Sequence, residues 1–311
     1  MNLKLRISIT DKCNLNCKYC KPKFYYKKSL SELLSYEEIE ETCKLFLKNL
    51  PLKIIRFTGG EPLLRKDFPS LLYSINKLKR DQNLRIGLTT NGTLLKDFAY
   101  ELYKNGLDDL NVSLDTLNEQ KFKNLTGGNI KDVLEGLKKA KELKFPIKIN
   151  CVLIKGINDD EIQDLIIWSW EMNFFIRFIE FMPFNSMIKW SENTFIGKEE
   201  ILNKLIKFGK FKRYPSKSTA QIFLREDGKG FGIIPSVSEP FCSDCNRLRI
   251  TADGHLKPCL KSKNTLYVKP LLLSNAGKQY LLNEINKILL EKKLKPNAIF
   301  ENDIKMFSIG G

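Results

Sequence analysis

The sequence predicts an α/β protein, an incomplete (β/α)6 TIM-type barrel followed by a C-terminal α+β domain. Three observations carry this. A strand-then-helix rhythm runs from residue 3 to about residue 182. Its strands show one apolar and one polar face. Past about residue 190 the rhythm gives way to hairpin patterns, which sets the expected domains at residues 1–190 and 191–311.

The strands are read at LKLRISI (3–9), KIIRFT (53–58), LRIGLTT (84–90), LNVSLD (110–115), IKINCVLI (147–154) and FFIRFIEFM (174–182). Helical patterns lie between them, for instance Tyr36 to Asn49 and Ile130 to Leu143. Ser35 is placed to cap the first, with Glu38 three positions on. Strand–helix alternation implies parallel strands joined by right-handed crossovers. Six units suit an incomplete barrel or an open doubly wound sheet. Side chains alternate along a strand, and the two faces separate these possibilities. Leu3, Leu5, Ile7 and Ile9 oppose Arg6, Ser8 and Thr10; Ile55 and Phe57 oppose Arg56 and Thr58. Val112 and Leu114 oppose Asn111, Ser113 and Asp115, and Ile147 and Ile149 oppose Lys148 and Asn150. A sheet between two helix layers is apolar on both faces. These strands instead fit a curved sheet around a polar lumen. Its cations, Arg6, Arg56 and Lys148, need a counter-charge, so the lumen is expected to hold an anion.

Beyond residue 190, SKSTAQIFLREDGKGFGIIP reads as a hairpin turning at Asp227-Gly228, and NRLRITADGHLKPCL as a second turning at Asp253-Gly254. On the second, Arg247 and Arg249 share a face. A helix from about Ala276 to Lys292 precedes the tail FSIGG.

At 311 residues the chain fits one large domain with an appendage, or two domains. No apolar run reaches the roughly 18 residues of a membrane helix. MNLKLRISIT lacks a signal core, so a cytoplasmic protein without a membrane role is expected. The net charge is +16. Lysines scattered through GLKKAKELK and LLEKKLK look like solvated faces, and compositional drift accounts for most of the excess. The other reading is a phosphate-rich or nucleic-acid partner.

Eight cysteines are present. Cys43 falls in a helical pattern and Cys151 on the apolar side of a strand, and both read as small buried hydrophobes. Cys13, Cys17 and Cys20 form C-x3-C-x2-C in the loop after the first strand, at the rim where barrels carry chemistry. Structural zinc takes four ligands; thiolates also suit iron–sulfur clusters. Three thiolates on a four-iron cube leave one iron open. Cys242, Cys245 and Cys259 form C-x2-C-x13-C, and with His255, the single histidine, their spacing also matches a Cys3His zinc site.

ITDKCNLNCKYC followed by TGGEP (58–62) after the second strand resembles the radical S-adenosylmethionine (SAM) superfamily. RISITDKCNLNCKYC, IRFTGGEPLLRKDF, LTTNG, NVSLDTL, INCVLIKGIND, IRFIEFMPF, FCSDCNRLRITADGHLKPCL and the terminal IGG together resemble its GTP 3′,8-cyclase family, which begins molybdenum cofactor biosynthesis. The resemblance implies two [4Fe–4S] clusters. One on Cys13, Cys17 and Cys20 chelates SAM; one on Cys242, Cys245 and Cys259, in a C-terminal cluster-binding domain, contacts the guanine of GTP. It implies SAM contacts at Tyr19, Gly60, Ser113 and Met182, with Glu61 beside them. It implies GTP contacts at Arg6, Arg56, Thr89, Lys148, Arg247, Leu248 and Arg249. Gly310 and Gly311 are expected to reach the active site. The implied reaction is cleavage of SAM to a 5′-deoxyadenosyl radical, hydrogen abstraction from the ribose 3′ carbon, and ring closure onto C8. A homodimer and transfer of product to cyclic pyranopterin synthase are implied too. Two rival readings remain: another radical SAM enzyme with an auxiliary cluster, and a zinc-stapled RNA-binding protein.

Overall fold

A computed structural model describes residues 2–21, 28–79, 83–184, 186–216, 218–240, 242, 245–261 and 265–294. The six expected strands are β1 (Leu3–Ser8), β2 (Leu52–Thr58), β3 (Arg85–Thr90), β4 (Asp109–Ser113), β5 (Ile147–Leu153) and β6 (Phe175–Glu180). Each pairs in parallel with the next. The crossovers carry α1 (Tyr36–Asn49), α2 (Phe68–Lys77), α3 (Leu95–Lys104), α4 (Glu119–Thr126), α5 (Ile130–Glu142) and α6 (Ile162–Glu171). Ser35 caps α1 as expected. Its hydroxyl accepts from Glu38 N at 3.2 Å, while Ser35 N donates to Glu38 Oε2 at 2.7 Å.

After α7 (Lys198–Leu205) come β7 (Lys212–Tyr214), β8 (Gln221–Leu224), β9 (Gly230–Ile234), β10 (Arg247–Ile250), β11 (His255–Lys257), β12 (Leu266–Tyr267) and α8 (Asn275–Leu294). Both hairpins form at the expected turns. They do not build a sheet of their own. β9 pairs in parallel with β6, and β10 in parallel with β1. The described strands therefore form one sheet ordered β12-β11-β10-β1-β2-β3-β4-β5-β6-β9-β8-β7, which is open at its ends. The late chain seals both edges of the six-stranded arc.

The apolar strand face packs under the helices. Leu5, Ile55, Ile86, Leu110, Ile149 and Ile176 are fully buried together with Phe46, Leu72, Leu102, Leu137 and Leu165 from the helices. Each such side chain contributes about 1.5–3 kcal/mol on burial. The polar face is left to the lumen. Among the described residues no helix is long and apolar enough to cross a membrane. Gly310 and Gly311 lie outside the described residues.

Candidate active site

The loop after β1 carries Cys13, Cys17 and Cys20 as half-buried thiols. Backbone bonds hold it in place: Asn16 N donates to Thr126 O at 2.7 Å, Lys18 N to Leu125 O at 2.9 Å, and Cys20 N to Cys17 O at 3.0 Å. All three thiols line one cavity of about 160 Å³, together with Tyr19, Gly60, Thr89 and Ser113. Leu15 N donates to Cys13 Sγ at 3.4 Å, and Asn91 Nδ2 lies 3.7 Å from it. Burial pushes the Cys13 thiol up. Burial, then the neighbouring Cys20, Asp115 and Cys13, push Cys17 well up, against the pull of Lys21. Three soft thiols at one cavity wall become thiolates together only around a cationic group. Their chemistry fits an iron–sulfur cluster.

The glycine loop closes on the thiol loop. Gly60 N donates to Thr10 O at 2.8 Å, and Glu61 N to Lys12 O at 2.7 Å. A Cβ on Gly60 would stand 2.4 Å from Lys12 O, so only glycine allows this approach. Glu61 is fully buried and accepts from Leu63 N, Thr90 Oγ1 and Asn91 N at 3.1, 2.8 and 2.7 Å. Its carboxylate thus ties the loops after β2 and β3 together. Burial raises it to about 7. Tyr19 Oη donates to Asp115 Oδ2 at 2.6 Å, and Val152 N to Asp115 Oδ1 at 2.8 Å. Burial lifts Asp115 to about 6. Met182 packs instead against Phe184, Val237 and Leu260 and does not line the cavity.

Below this rim the polar face is a row of cations. Arg249, Arg6 and Arg56 stand at one register level on β10, β1 and β2. Burial, then Arg249, Arg56, Arg247 and Arg177, disfavour the charge on Arg6. Arg177 and Arg249 are each lowered to about 10, by burial first and then by a neighbouring arginine. Burial also lowers Lys148. Four buried polar atoms on this face, Thr89 Oγ1, Asn111 Oδ1, Arg177 Nε and Arg249 Nη1, have no hydrogen-bond partner among the described residues. Such atoms call for a ligand that accepts from arginine and bonds to hydroxyl and amide groups. The Leu248 side chain is buried in the apolar core, so only its backbone is available to this face.

The second thiol set shares this charge. Burial pushes Cys245 up, but Arg247 and Lys292 outweigh it and leave the thiol at about 7. Cys245 and Cys259 both act on Arg249 and Lys292. His255 stacks on Tyr267 with ring centroids 4.9 Å apart, and its Nδ1 lies 3.3 Å from Asp253 Oδ1. Among the described residues no group of three or more His, Cys, Asp or Glu side chains could hold a single metal ion.

Five residues at the site were not singled out as site residues from the sequence. Arg177 and Asn150, joined at 2.6 Å, follow from the same strand parity as Lys148. Asp115 was on the polar face but gave no sign of its bond to Tyr19. Asp109 fell outside because the fourth strand begins one residue earlier than read. Lys292 comes from α8, more than 40 residues beyond Cys245, and no local pattern shows its reach.

Comparison with known proteins agrees with the geometry. Residues 7–168 match the radical SAM superfamily, and residues 174–298 match the Molybdenum Cofactor Synthesis C family. The GTP 3′,8-cyclase of Thermodesulfovibrio yellowstonii is 44% identical over 99% of this chain and 97% of its own. That of Aquifex aeolicus is 40% identical over 99% and 96%. Among solved structures, SuiB of Streptococcus suis bound to S-adenosylmethionine superposes with a TM-score of 0.61 at 16% identity, covering 91% of this chain and 65% of that longer one, which is a likeness of fold. The chain belongs to the radical SAM superfamily and, within it, to the GTP 3′,8-cyclase family.

Proposed function

We propose that this protein is a lyase that cyclises GTP to 3′,8-cyclo-7,8-dihydro-GTP, the first step of molybdenum cofactor biosynthesis. The observation that carries this is a thiol-lined cavity, walled also by Thr89 and Asn150, on the strand face that carries the arginines, where Thr89 Oγ1, Asn111 Oδ1, Arg177 Nε and Arg249 Nη1 have no hydrogen-bond partner among the described residues. When bound, a [4Fe–4S] cluster on Cys13, Cys17 and Cys20 and SAM supply the 5′-deoxyadenosyl radical that starts the reaction.

The chain's own part is position and seclusion. Gly60 admits the amino acid end of SAM, and Tyr19, locked by Asp115, walls its other side with Ser113. Met182 contributes from the loop after β6. Arg6, Arg56, Lys148, Arg247 and Arg249 take the triphosphate, since guanidinium forks match phosphate oxygens; Thr89 and the Leu248 backbone add hydrogen bonds. A second cluster on Cys242, Cys245 and Cys259 anchors the guanine. Residues 1–190 then hold SAM and residues 191–311 hold the base, with the reacting carbons in near-attack contact between them. The working form is a cytoplasmic homodimer that hands its product to cyclic pyranopterin synthase.

The test is anaerobic purification, iron and sulfide analysis, then addition of dithionite, SAM and GTP. About eight irons per chain and GTP-dependent release of 5′-deoxyadenosine are expected. Zinc without SAM cleavage would refute the reading.

A further inference from the structure

The loop after β3 carries LTTNG, and the chemistry above leaves its Asn91 without a role. This residue lines the same cavity as Cys13, Cys17 and Cys20. Its amide crosses to the thiol loop. Asn91 Nδ2 donates to Asn14 Oδ1 at 2.9 Å and lies 3.7 Å from Cys13 Sγ, a hydrogen-bond distance for sulfur.

The other end of the amide fixes which way it points. Thr93 N and Thr93 Oγ1 donate to Asn91 Oδ1 at 3.0 and 2.7 Å. A backbone N–H can only donate, so the amide oxygen faces Thr93 and the NH2 group faces Cys13. Asn14 closes a ring, its Nδ2 donating to Thr93 Oγ1 at 2.8 Å. Asn91 N donates to Glu61 Oε2 at 2.7 Å, which holds the backbone beneath the side chain. Of the two amide protons, one goes to Asn14 and the other is directed at Cys13.

We propose that Asn91 is a positioning residue whose amide donates a hydrogen bond to Cys13 Sγ, and that this bond makes the iron–sulfur cluster on Cys13, Cys17 and Cys20 easier to reduce. The inference rests on the reading of those thiols as cluster ligands. Reduction by an external one-electron donor adds negative charge that spreads onto the ligand sulfurs. An N–H aimed at one of them favours the reduced form over the oxidised one. Leu15 N donates to the same sulfur at 3.4 Å, but from the backbone, where side-chain substitution leaves it in place. Charged groups surround the loop as well. Lys21 and Glu61 act on Cys13 in opposite senses, Asp115 acts on Cys17, and the buried Asp11 accepts from Lys28 N at 2.8 Å. All four charges stay in every variant below, so a difference from the parent reads the change at the substituted residue.

The experiment is a redox titration of the full-length protein, purified without oxygen and followed by electron paramagnetic resonance before SAM is added. The signal assigned to this cluster is the one that later addition of SAM perturbs. Asn91→Ala removes the donor. Asn91→Asp keeps an oxygen facing Thr93 and turns a second oxygen, with its charge, toward Cys13. Asn14→Ala opens the ring but leaves the Asn91 amide and its bonds to Thr93. At a fixed potential, Asn91→Ala is expected to lower the reduced-to-oxidised ratio about threefold, which is about 28 mV where a tenfold change is 59 mV for a one-electron couple. Asn91→Asp is expected to lower it about tenfold, and Asn14→Ala to titrate with the parent. Iron per chain is expected to match the parent in all three.

Three results would overturn the inference: Asn91→Ala titrating with the parent, Asn14→Ala shifting as far as Asn91→Ala, or both Asn91 variants losing iron. A change in SAM affinity with no change in potential would place Asn91 on SAM instead, and also overturns it. Absence of iron from the parent protein, seen by iron analysis before any titration, is a separate failure, that of the ligand reading.

Discussion

Arg56 on β2 reaches past Gly87 on β3 to pair with Asp109 on β4, so one ion pair spans three strands. Arg56 Nη1 also donates to Leu88 O at 2.9 Å. The gap is the missing side chain of residue 87, where a Cβ would stand 2.4 Å from Arg56 Nη2. The obstructed group is the end of a long side chain, so it moves more readily than backbone would. Gly87→Ala is therefore expected to displace Arg56 from Asp109 and Leu88 O, and to cost about 1–3 kcal/mol of stability. The KM for GTP should rise roughly tenfold, the loss of one charge-assisted contact. The KM for SAM should stay put. Steady-state kinetics with each substrate varied checks this, and an unchanged GTP response would show that Arg56 does not need its groove.

Asp109 gives the cationic face its own carboxylate. Burial raises it, but Arg56 first, then Lys148 and Arg85, hold it below the usual carboxylate range. A depressed carboxyl adds stability that is present above its unfolded value and lost as pH falls through the folded one. The contribution is thus complete at neutral pH and disappears in acid below about pH 4. Asp109→Asn should cost about 3–5 kcal/mol near neutrality, because it strands a buried cation. Urea unfolding at several pH values is the measurement; the variant should also lose its share of the acid-side decline.

Glu61 and Asp115 have the opposite sign. Burial lifts them to about 7 and about 6, so the folded chain holds protons that the unfolded chain releases. Their contribution falls as pH rises from about 4.5 to about 7. Glu61→Gln should flatten that slope, although its amide cannot accept at both positions and the variant starts about 1–3 kcal/mol less stable. A slope equal to that of the parent would show Glu61 ionised throughout.

Cysteine substitutions sort ligands from packing. Cys13→Ala or Cys242→Ala should each remove about four of about eight irons per chain. Cys43→Ala should leave iron unchanged and cost about 1–2 kcal/mol, since Cys43 is a fully buried core residue of α1. Iron analysis with urea unfolding separates the two outcomes.

The arc of six strands was legible because each strand repeats the same parity and α1 begins at a polar cap. Ser35 and Glu38 fixed the start of α1, and Arg6, Arg56 and Lys148 were placed by alternation alone. Edge pairing was not legible. β1 meets β10 across more than 200 residues, and β6 meets β9 past an intervening helix, and no local pattern encodes either. Asp109 was missed for a smaller reason: one residue at the start of a strand decides whether a side chain counts as part of its face. At Met182 the loop after β6 turns the side chain into a separate apolar cluster with Phe184, a packing that no motif encodes.

Because β10 lies beside β1, that strand finds its outer neighbour only after some 240 residues more have been made. Until then the nascent arc presents two bare backbone edges, each able to recruit a strand from another chain. Folding of this protein is therefore governed by contacts of long sequence separation and should be slow. A truncated product ending near residue 190 would carry every residue of the first thiol loop and still be prone to self-association, so synthesis has to run past β10 before both edges are covered.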